Sequence, residues 1–360
     1  MEKNILLFPV FLLLWIPYTK AQSQAVTNEQ RAKALQEAIY KHLYNSSTQL
    51  FIQTNVPAKN HNLHADLWGL CAMIQAANEM EALDPAQAYM PPVVKAIDQY
   101  YDPAPPAPGF ASYVMKERQE DRYYDDNQWI GIAYMDAYRR NKQPAYLDGG
   151  RMIYTFMMTG YDTVSGGGLY WREKDLTTKN TCSNGPGILL ALQLYAATQQ
   201  KGYLDTALLL YTWTNRHLQA GNGVYWDAIK PLQHRIDSAT YTYNTGTMLE
   251  ANVKLYRLTK EKRYLREAQR IAAGSYDHFI KTGKLGTAYW FNAVLLRGYE
   301  ALYQIDKNNK YLKAMQEYAD HVWEKERNEQ HLVGRKPEKE LLAQAGMLEI
   351  YARLARLKIQ

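Results

Sequence analysis

"AYMDAYRRNKQPAYLDGG", Ala133 to Gly150, decides the fold, because its plan recurs along the chain. A helix-period stretch runs into a polar turn, and a Tyr-Leu pair then opens a second helical stretch. "GYLDTA" begins at Gly202, "RYLREA" at Arg263 and "KYLKAM" at Lys310, with a weaker copy, "AYMPPV", at Ala88. Their tyrosines, at 89, 146, 203, 264 and 311, are separated by 57, 57, 61 and 47 residues. Three other copies are preceded by the same kind of helix and turn: "LQLYAATQQK", "NVKLYRLTKEK" and "GYEALYQIDKNN". Repetition at such a period marks an architecture built from one supersecondary unit.

The first helix of each unit also opens alike, in "HADLWGL", "YDDNQWI", "CSNGPGI", "TYNTGTM", "AYWFNAV" and "LLAQAGM". Five of the six place Asp or Asn at the opening (Asp66, Asp125, Asn184, Asn244, Asn292) and the sixth has Gln344, which reads as N-cap chemistry. Trp129, Ile132, Ala133 and Met135 fall three or four apart, as do Ile188, Leu192 and Tyr195. Strand-like alternation is confined to pieces such as "GGGLYW" and "GVYWDA". Six hairpins give twelve helices, as an open solenoid or a closed ring. The units exceed the length of common solenoid repeats, and their extra residues all precede the first helix, on one face. That favours an all-α, single-domain (α/α)6 barrel with a loop-built cleft at one end, where function usually lies.

Composition sets further bounds. The 360 residues are 47% hydrophobic and 22% charged, as in a globular protein with a sizeable core. The net charge of +6 is spread without a basic block, which argues against nucleic acid as a partner. The 30 Tyr and 8 Trp, against 7 Phe, suit a wet, stacking surface such as a sugar cleft, and equally suit helix packing. At the N-terminus an apolar run from Ile5 to Ile16 precedes Thr19 and Ala21, a small-residue cleavage site. The run is too short to span a bilayer, so residues 1–21 read as a secretory signal peptide and 22–360 as the exported catalytic domain, periplasmic, secreted or at the cell surface, with no membrane span. Cys71 and Cys182 could pair or remain buried thiols. "HNLH", His61 to His64, lacks a third ligand at a helical offset. No metal or cofactor is expected.

Asp125 and Asp126 stand side by side in "YYDDNQWI". One carboxylate could cap a helix while the other favours its positive end. The pair also lies on the loop-bearing rim beside Tyr123, Tyr124 and Trp129, and glycoside hydrolysis needs two carboxyls, one giving a proton to the leaving oxygen and one meeting the positive anomeric carbon.

"YYDDNQWI", "GGGLYW", "KNTCSNGPG" and "TYNTGTMLEANVKLY" together resemble glycoside hydrolase family 76, over roughly Asp66 to Leu354. The resemblance implies an (α/α)6 barrel, a retaining endo-α-1,6-mannanase, and α-1,6-linked mannan or manno-oligosaccharides as partner, with a monomer expected. It implies Asp125 as nucleophile and Asp126 as acid/base; spacing alone does not order them. It gives substrate-binding roles to Asn184 with Gly185, to Tyr243 with Asn244 and to Trp171; Tyr124 and Trp129, flanking the acid pair, are read as aromatic walls for the sugar. Simple caps and core packing are the alternative for these residues, and Trp226 and Trp290 have weaker claims. Thr245, where the family often has Gln, and the "TCSNG" stretch depart from the family pattern. A mannan-binding protein without turnover, or another (α/α)6 enzyme acting on charged glycans, are the competing functions. The second would need cations in the cleft, where the rim motifs supply only Arg172.

Overall fold

The computed structural model describes residues 26–357; the signal-peptide expectation lies outside the described residues. Twelve α-helices occur among them: α1 (Asn28–Leu43), α2 (Leu67–Leu83), α3 (Met90–Ile97), α4 (Tyr124–Asn141), α5 (Pro144–Met158), α6 (Thr181–Thr198), α7 (Lys201–Leu218), α8 (Thr242–Thr259), α9 (Lys262–Ser275), α10 (Tyr289–Asp306), α11 (Lys310–Lys325) and α12 (Leu341–Leu357). The even-numbered helices pack side by side in sequence, and α12 returns to α2, so the ring is closed. The odd-numbered helices lie outside, each against an inner helix, and α1 packs on α12. The (α/α)6 barrel expected from the repeat is what the chain forms.

The repeat is a turn motif with a physical cause. Inner helices α4, α6, α8 and α10 end at Lys142, Gln199, Lys260 and Lys307, each in the left-handed conformation with φ between 58° and 63°. Each of those N–H groups returns to the carbonyl of a tyrosine four residues earlier, at 138, 195, 256 and 303, which closes the helix end. Lys142 and Lys307 also lay their ammonium groups near the rings of Tyr138 and Tyr303. The outer helix begins at once, and its repeat tyrosine, eight residues after the first in all four units, knits the outer layer. Tyr203 meets Tyr154, Tyr264 meets Tyr211 and Tyr311 meets Tyr276, just after α9.

At the opposite end the connections are long and carry the strands. Two short pairs, β1 (Tyr44–Asn45) with β2 (Leu50–Phe51) and β3 (Tyr101–Asp102) with β4 (Gly109–Phe110), are joined by a four-stranded antiparallel sheet. That sheet runs β5 (Tyr170–Arg172), β6 (Asp175–Asn180), β7 (Trp226–Lys230), β8 (Arg235–Thr240), so the "GGGLYW" and "GVYWDA" pieces belong to one sheet.

The polar residues that open the inner helices do not act as N-caps, as their sequence suggests. Asp66 is the N-cap of α2 but makes no cap hydrogen bond, and α4, α6, α8 and α10 are preceded by Tyr123, Asn180, Tyr241 and Ala288, again without side-chain caps. Instead, a residue four beyond the N-cap turns back to hold the incoming loop. Asn127 accepts from the Phe110 N–H at 2.7 Å and donates to its carbonyl at 2.9 Å. Asn184 does the same to Leu169 at 2.8 and 3.0 Å, and Gln344 to Val333 at 2.7 and 2.9 Å. Thr245 accepts from the Tyr225 N–H, and Asn292 donates to the Leu285 carbonyl. A carboxamide carries both donor and acceptor, so it matches both backbone groups of an extended residue, where a cap would satisfy only one.

At the turn end the barrel axis is filled by charge. Arg297 of α10 pairs with Asp136 of α4 at 2.7 Å and Glu250 of α8 at 2.5 Å, and bonds Gln75 of α2. Gln193 of α6 donates to Asp136, and Arg353 of α12 pairs with Glu79, Glu300 and Glu349. Burial would raise the Asp136 carboxyl, but the facing Arg297, Arg139 and Lys254 hold it well below the usual carboxylate range. Arg297→Met leaves two carboxylates buried without their main partner. The expected loss is about 3–5 kcal/mol of unfolding free energy, measured by denaturant titration.

Candidate active site

The loop end encloses a cleft of about 730 Å³ at the mouth of the ring. Its walls are aromatic, from Trp68, Tyr113, Tyr123, Trp171, Tyr241, Tyr243 and Phe291. Tyr243 stacks on Phe291 with ring centres 4.1 Å apart, and Tyr123 lies 5.0 Å from Trp171. Five carboxyl groups face in, from Asp66, Glu120, Asp125, Asp126 and Asp227; the single cation is Arg118, which is bonded to Glu120. Flat apolar faces with few, placed polar groups suit an uncharged sugar.

Asp125 and Asp126 lie in the first turn of α4 and are 3% and 6% exposed, so both carboxyls are almost out of water yet open to the cleft. Their surroundings differ. Asp125 accepts the Trp171 indole N–H at 3.1 Å and the Asp126 backbone N–H at 3.1 Å, and the nearby Cys182 thiol also favours its charge. Burial pushes Asp125 up to about 6, and these donors oppose the shift. No side-chain hydrogen bond reaches the Asp126 carboxyl among the described residues. Burial, then the charges of Asp125 and Asp66, raise it well above the ordinary range. The two groups titrate as a pair; the partner with donors carries the charge and the other keeps the proton.

Trp171 reaches the site through the glycine-rich loop. Gly166, Gly167 and Gly168 have φ of 78°, 128° and 86°, values that glycine alone adopts without strain. A Cβ on Gly168 would come within 2.7 Å of the Trp213 ring. Lys179, fully buried, fixes the loop by donating to the carbonyls of Gly167 and Val164 while pairing with Asp162. The isolated bridge between Tyr123 and Arg172 then ties β5 to the start of α4.

Of the residues expected from sequence, Asp125, Asp126, Trp171 and Tyr243 line the cleft. Tyr124 does not. It is buried against Phe156 and its hydroxyl meets Thr159, because the position before Asp125 turns to the outer layer. Trp129 is also core, 1% exposed and edge-on to Trp290. Asn184 spends its amide on the loop clasp, and Gly185 sits where a Cβ would touch Thr247 of the next inner helix at 2.9 Å. Asn244 is buried and reaches the cleft only through Asp227, to which it donates at 3.3 Å. Trp226 and Trp290 lie off the cleft. Cys71 and Cys182 are both buried free thiols.

Sequence reasoning passed over Asp227 and the part played by Asp66. Asp227 sat unremarked beside Trp226 in "VYWDA". The strand register shifts between Trp226 and Ala228, and such a bulge re-aims a side chain. Asp66 was legible as a helix-opening acid, but its cleft-facing position depends on the ring closing.

A model of the glycosyl hydrolase family 76 matches residues 27–290, and the chain belongs to that family. It is 30% identical over 151 residues to mannan endo-1,6-alpha-mannosidase DCW1 of Saccharomyces cerevisiae, a match covering 38% of this chain and 34% of that one. The chain thus spans about a third of the length of the curated relatives it first matches. A family 76 glycoside hydrolase (mannosidase) of Bacteroides thetaiotaomicron superposes with a TM-score of 0.84 at 26% identity, over 92% of this chain and 98% of that one. The α-1,6-mannanase of Salegentibacter sp. HEL1_6, in an inactive variant complexed with α-1,6-mannotriose, shares the fold with a TM-score of 0.79 at 22% identity, covering 92% and 100%.

The raised carboxyls make a stability prediction. A carboxyl near 6 in the fold, against about 4 in the unfolded chain, binds its proton more tightly when folded. Its contribution to stability is complete below pH ~4 and is lost as pH rises through the folded value. Asp126→Asn removes the cost of ionising the pair. It should therefore gain about 1–3 kcal/mol over wild type at pH 7, a gain that shrinks toward pH 4, as read by denaturant melts at both pH values.

Proposed function

We propose that this chain is an exported, monomeric endo-α-1,6-mannanase that cleaves internal α-1,6-mannosidic bonds with retention, using Asp125 as nucleophile and Asp126 as acid/base. The observation that carries the reading is the unequal treatment of two adjacent buried carboxyls. One accepts two hydrogen bonds beside the Cys182 thiol and can remain ionised; the other accepts none on its side chain and faces like charge. This supports the order of roles without reference to the family. The name of the yeast relative favours the substrate and the linkage. Export rests on the leader read in residues 1–21. No described helix is long and apolar enough to cross a membrane.

In the first step an Asp125 carboxylate oxygen attacks the anomeric carbon of a mannose held between the aromatic walls. The glycosidic C–O bond breaks, and the Asp126 proton passes to the departing oxygen. A water then gives its proton to Asp126 and its oxygen to the anomeric carbon, which releases Asp125 and restores both groups. Trp171 positions Asp125 and offers its exposed face (39%) for stacking. Tyr243 and Tyr123 hold the sugar from either side. Asp66 and Asp227 are placed to accept hydrogen bonds from mannose hydroxyls. Asn244 acts through Asp227, and Asn184 and Gly185 act only by holding the rim.

Incubation with linear α-1,6-mannan tests the reading. Oligosaccharides should appear, with the α-anomer first by proton NMR; an initial β-anomer would contradict retention. Asp125→Asn and Asp126→Asn should each lower hydrolysis by at least about 10²–10⁴-fold, and activity should persist in chelator. The rate should fall on the acid side as Asp125 gains its proton near 6. Wild-type protein that binds mannan without cleaving it would instead mark a binding protein.

A further inference from the structure

Beyond Trp171 the cleft continues into a second chamber of about 490 Å³, which shares Trp171, Asn180 and Asp227 with the first. The register of the β7–β8 hairpin decides what faces it. Ala228 pairs with Asp237, Ile229 with Ile236 and Lys230 with Arg235. Alternate residues share a face. Ile229 and Ile236 pack with Trp213 and Leu218, so Ala228, Lys230, Arg235 and Asp237 share the other face, and all four line the chamber, whose edge Ile236 also reaches. Lys230 and Arg235 are therefore like charges directly opposite each other, an arrangement that destabilises a strand pair. Neither has an ion-pair partner among the described residues. Of the two acids at hand, Asp237 accepts the Ala239 N–H at 3.0 Å and Asp227 is held by Asn244. A hydrogen bond leaves each carboxylate its charge, so Asp227 and Asp237 balance the chamber as a whole; the site for a negative group is the cation pair itself, which the register sets side by side at the hairpin end, beyond Ala228 and Asp237.

We propose that Lys230 and Arg235 form a subsite for an anionic substituent, phosphate or carboxylate in class, carried by the glycan outside the cleavage point. This rests on the mannanase reading and adds a specificity to it. The first chamber presents five carboxyls and one cation already bonded to Glu120, so it repels an anion at the scissile sugar. A charge is accepted only on a unit that reaches past Trp171. The planar fork of Arg235 can bind two oxygens at once, while Lys230 adds a point charge; together they suit a phosphate best.

The test compares kcat/KM on linear α-1,6-mannan with the same mannan sparsely phosphorylated, or carboxymethylated to equal charge. Wild type should prefer the phosphorylated polymer several-fold through KM, and the preference should vanish at about 0.5 M salt, where exposed charges are screened. Lys230→Gln with Arg235→Gln should bring the ratio of the two substrates to about one, and Lys230→Glu with Arg235→Glu should invert it. An equal preference for the carboxymethylated polymer would support a subsite for either anion. No preference in wild type, or one that survives both pairs of substitutions, would overturn the proposal and leave these cations as charges that guard an edge strand. Cleavage of unmodified mannan tests the mannanase reading on its own. Should none occur, retardation of wild type by phosphorylated mannan in affinity electrophoresis still reads the subsite: lost in the Glu variants it supports it, and its absence in wild type overturns it.

Discussion

The charge network on the barrel axis is the constraint from which the rest of the structure follows. Six inner helices converge at the turn end, and every one of them sends a polar or charged side chain inward: Gln75 and Glu79, Asp136, Gln193, Glu250 and Lys254, Arg297 and Glu300, Glu349 and Arg353. Buried ions are costly unless each meets its partner in good geometry. A rotation of α4, α8, α10 or α12 about its axis would strand a buried charge on a neighbouring helix. Hydrophobic contacts along the ring are far more tolerant, since apolar side chains accept repacking with little loss. The network therefore acts as a register pin, and it lies at the far end from the chemistry.

What is pinned at one end is presented at the other. The first turns of the inner helices are held at a set azimuth, and from there Asn127, Asn184, Thr245, Asn292 and Gln344 each reach back to an incoming loop. The rim is thus fastened to the ring by side chain-to-backbone bonds and by the residues they hold, Phe110, Leu169, Tyr225, Leu285 and Val333, which are buried in the core. That leaves its aromatic residues free to line a cleft. It also lets the fold bear two adjacent carboxyls that are nearly dry and share one turn, an arrangement that costs stability and that only a rigid surround can maintain.

Much of this was legible in the sequence, and the limits have physical causes. The tyrosine repeat gave the hairpin and the six alike helix openings its count, and the closed ring followed from where the extra residues lay. The tandem Asp stood out because a helix start has no use for two. Residues adjacent in the sequence were harder to sort. Tyr124 and Trp129 flank the carboxyls in the chain, yet a helix turns about 100° per residue, so they face the outer layer and the core. Asn184 and Asn244 looked like caps because a cap and a clasp draw on the same residue types. Only the position of the loop tells them apart, and that is a tertiary fact. Asp227 needed a strand bulge to be seen at all.

Four of the turns on the closed end share the same left-handed residue and the same tyrosines eight apart, and the α2–α3 turn, which ends α2 at Asp84 with φ −128°, is the exception. The connections on the open end share neither length nor secondary structure. The molecule thus separates inheritance from invention. One end behaves as a fixed die, where an inserted residue would break a capped turn and shift a helix off its partner charges. The other is a set of interchangeable fittings, clipped on by side chains of the frame. Diversification of what such a barrel recognises would then proceed by gain and loss of whole loops, while the frame beneath is copied unchanged.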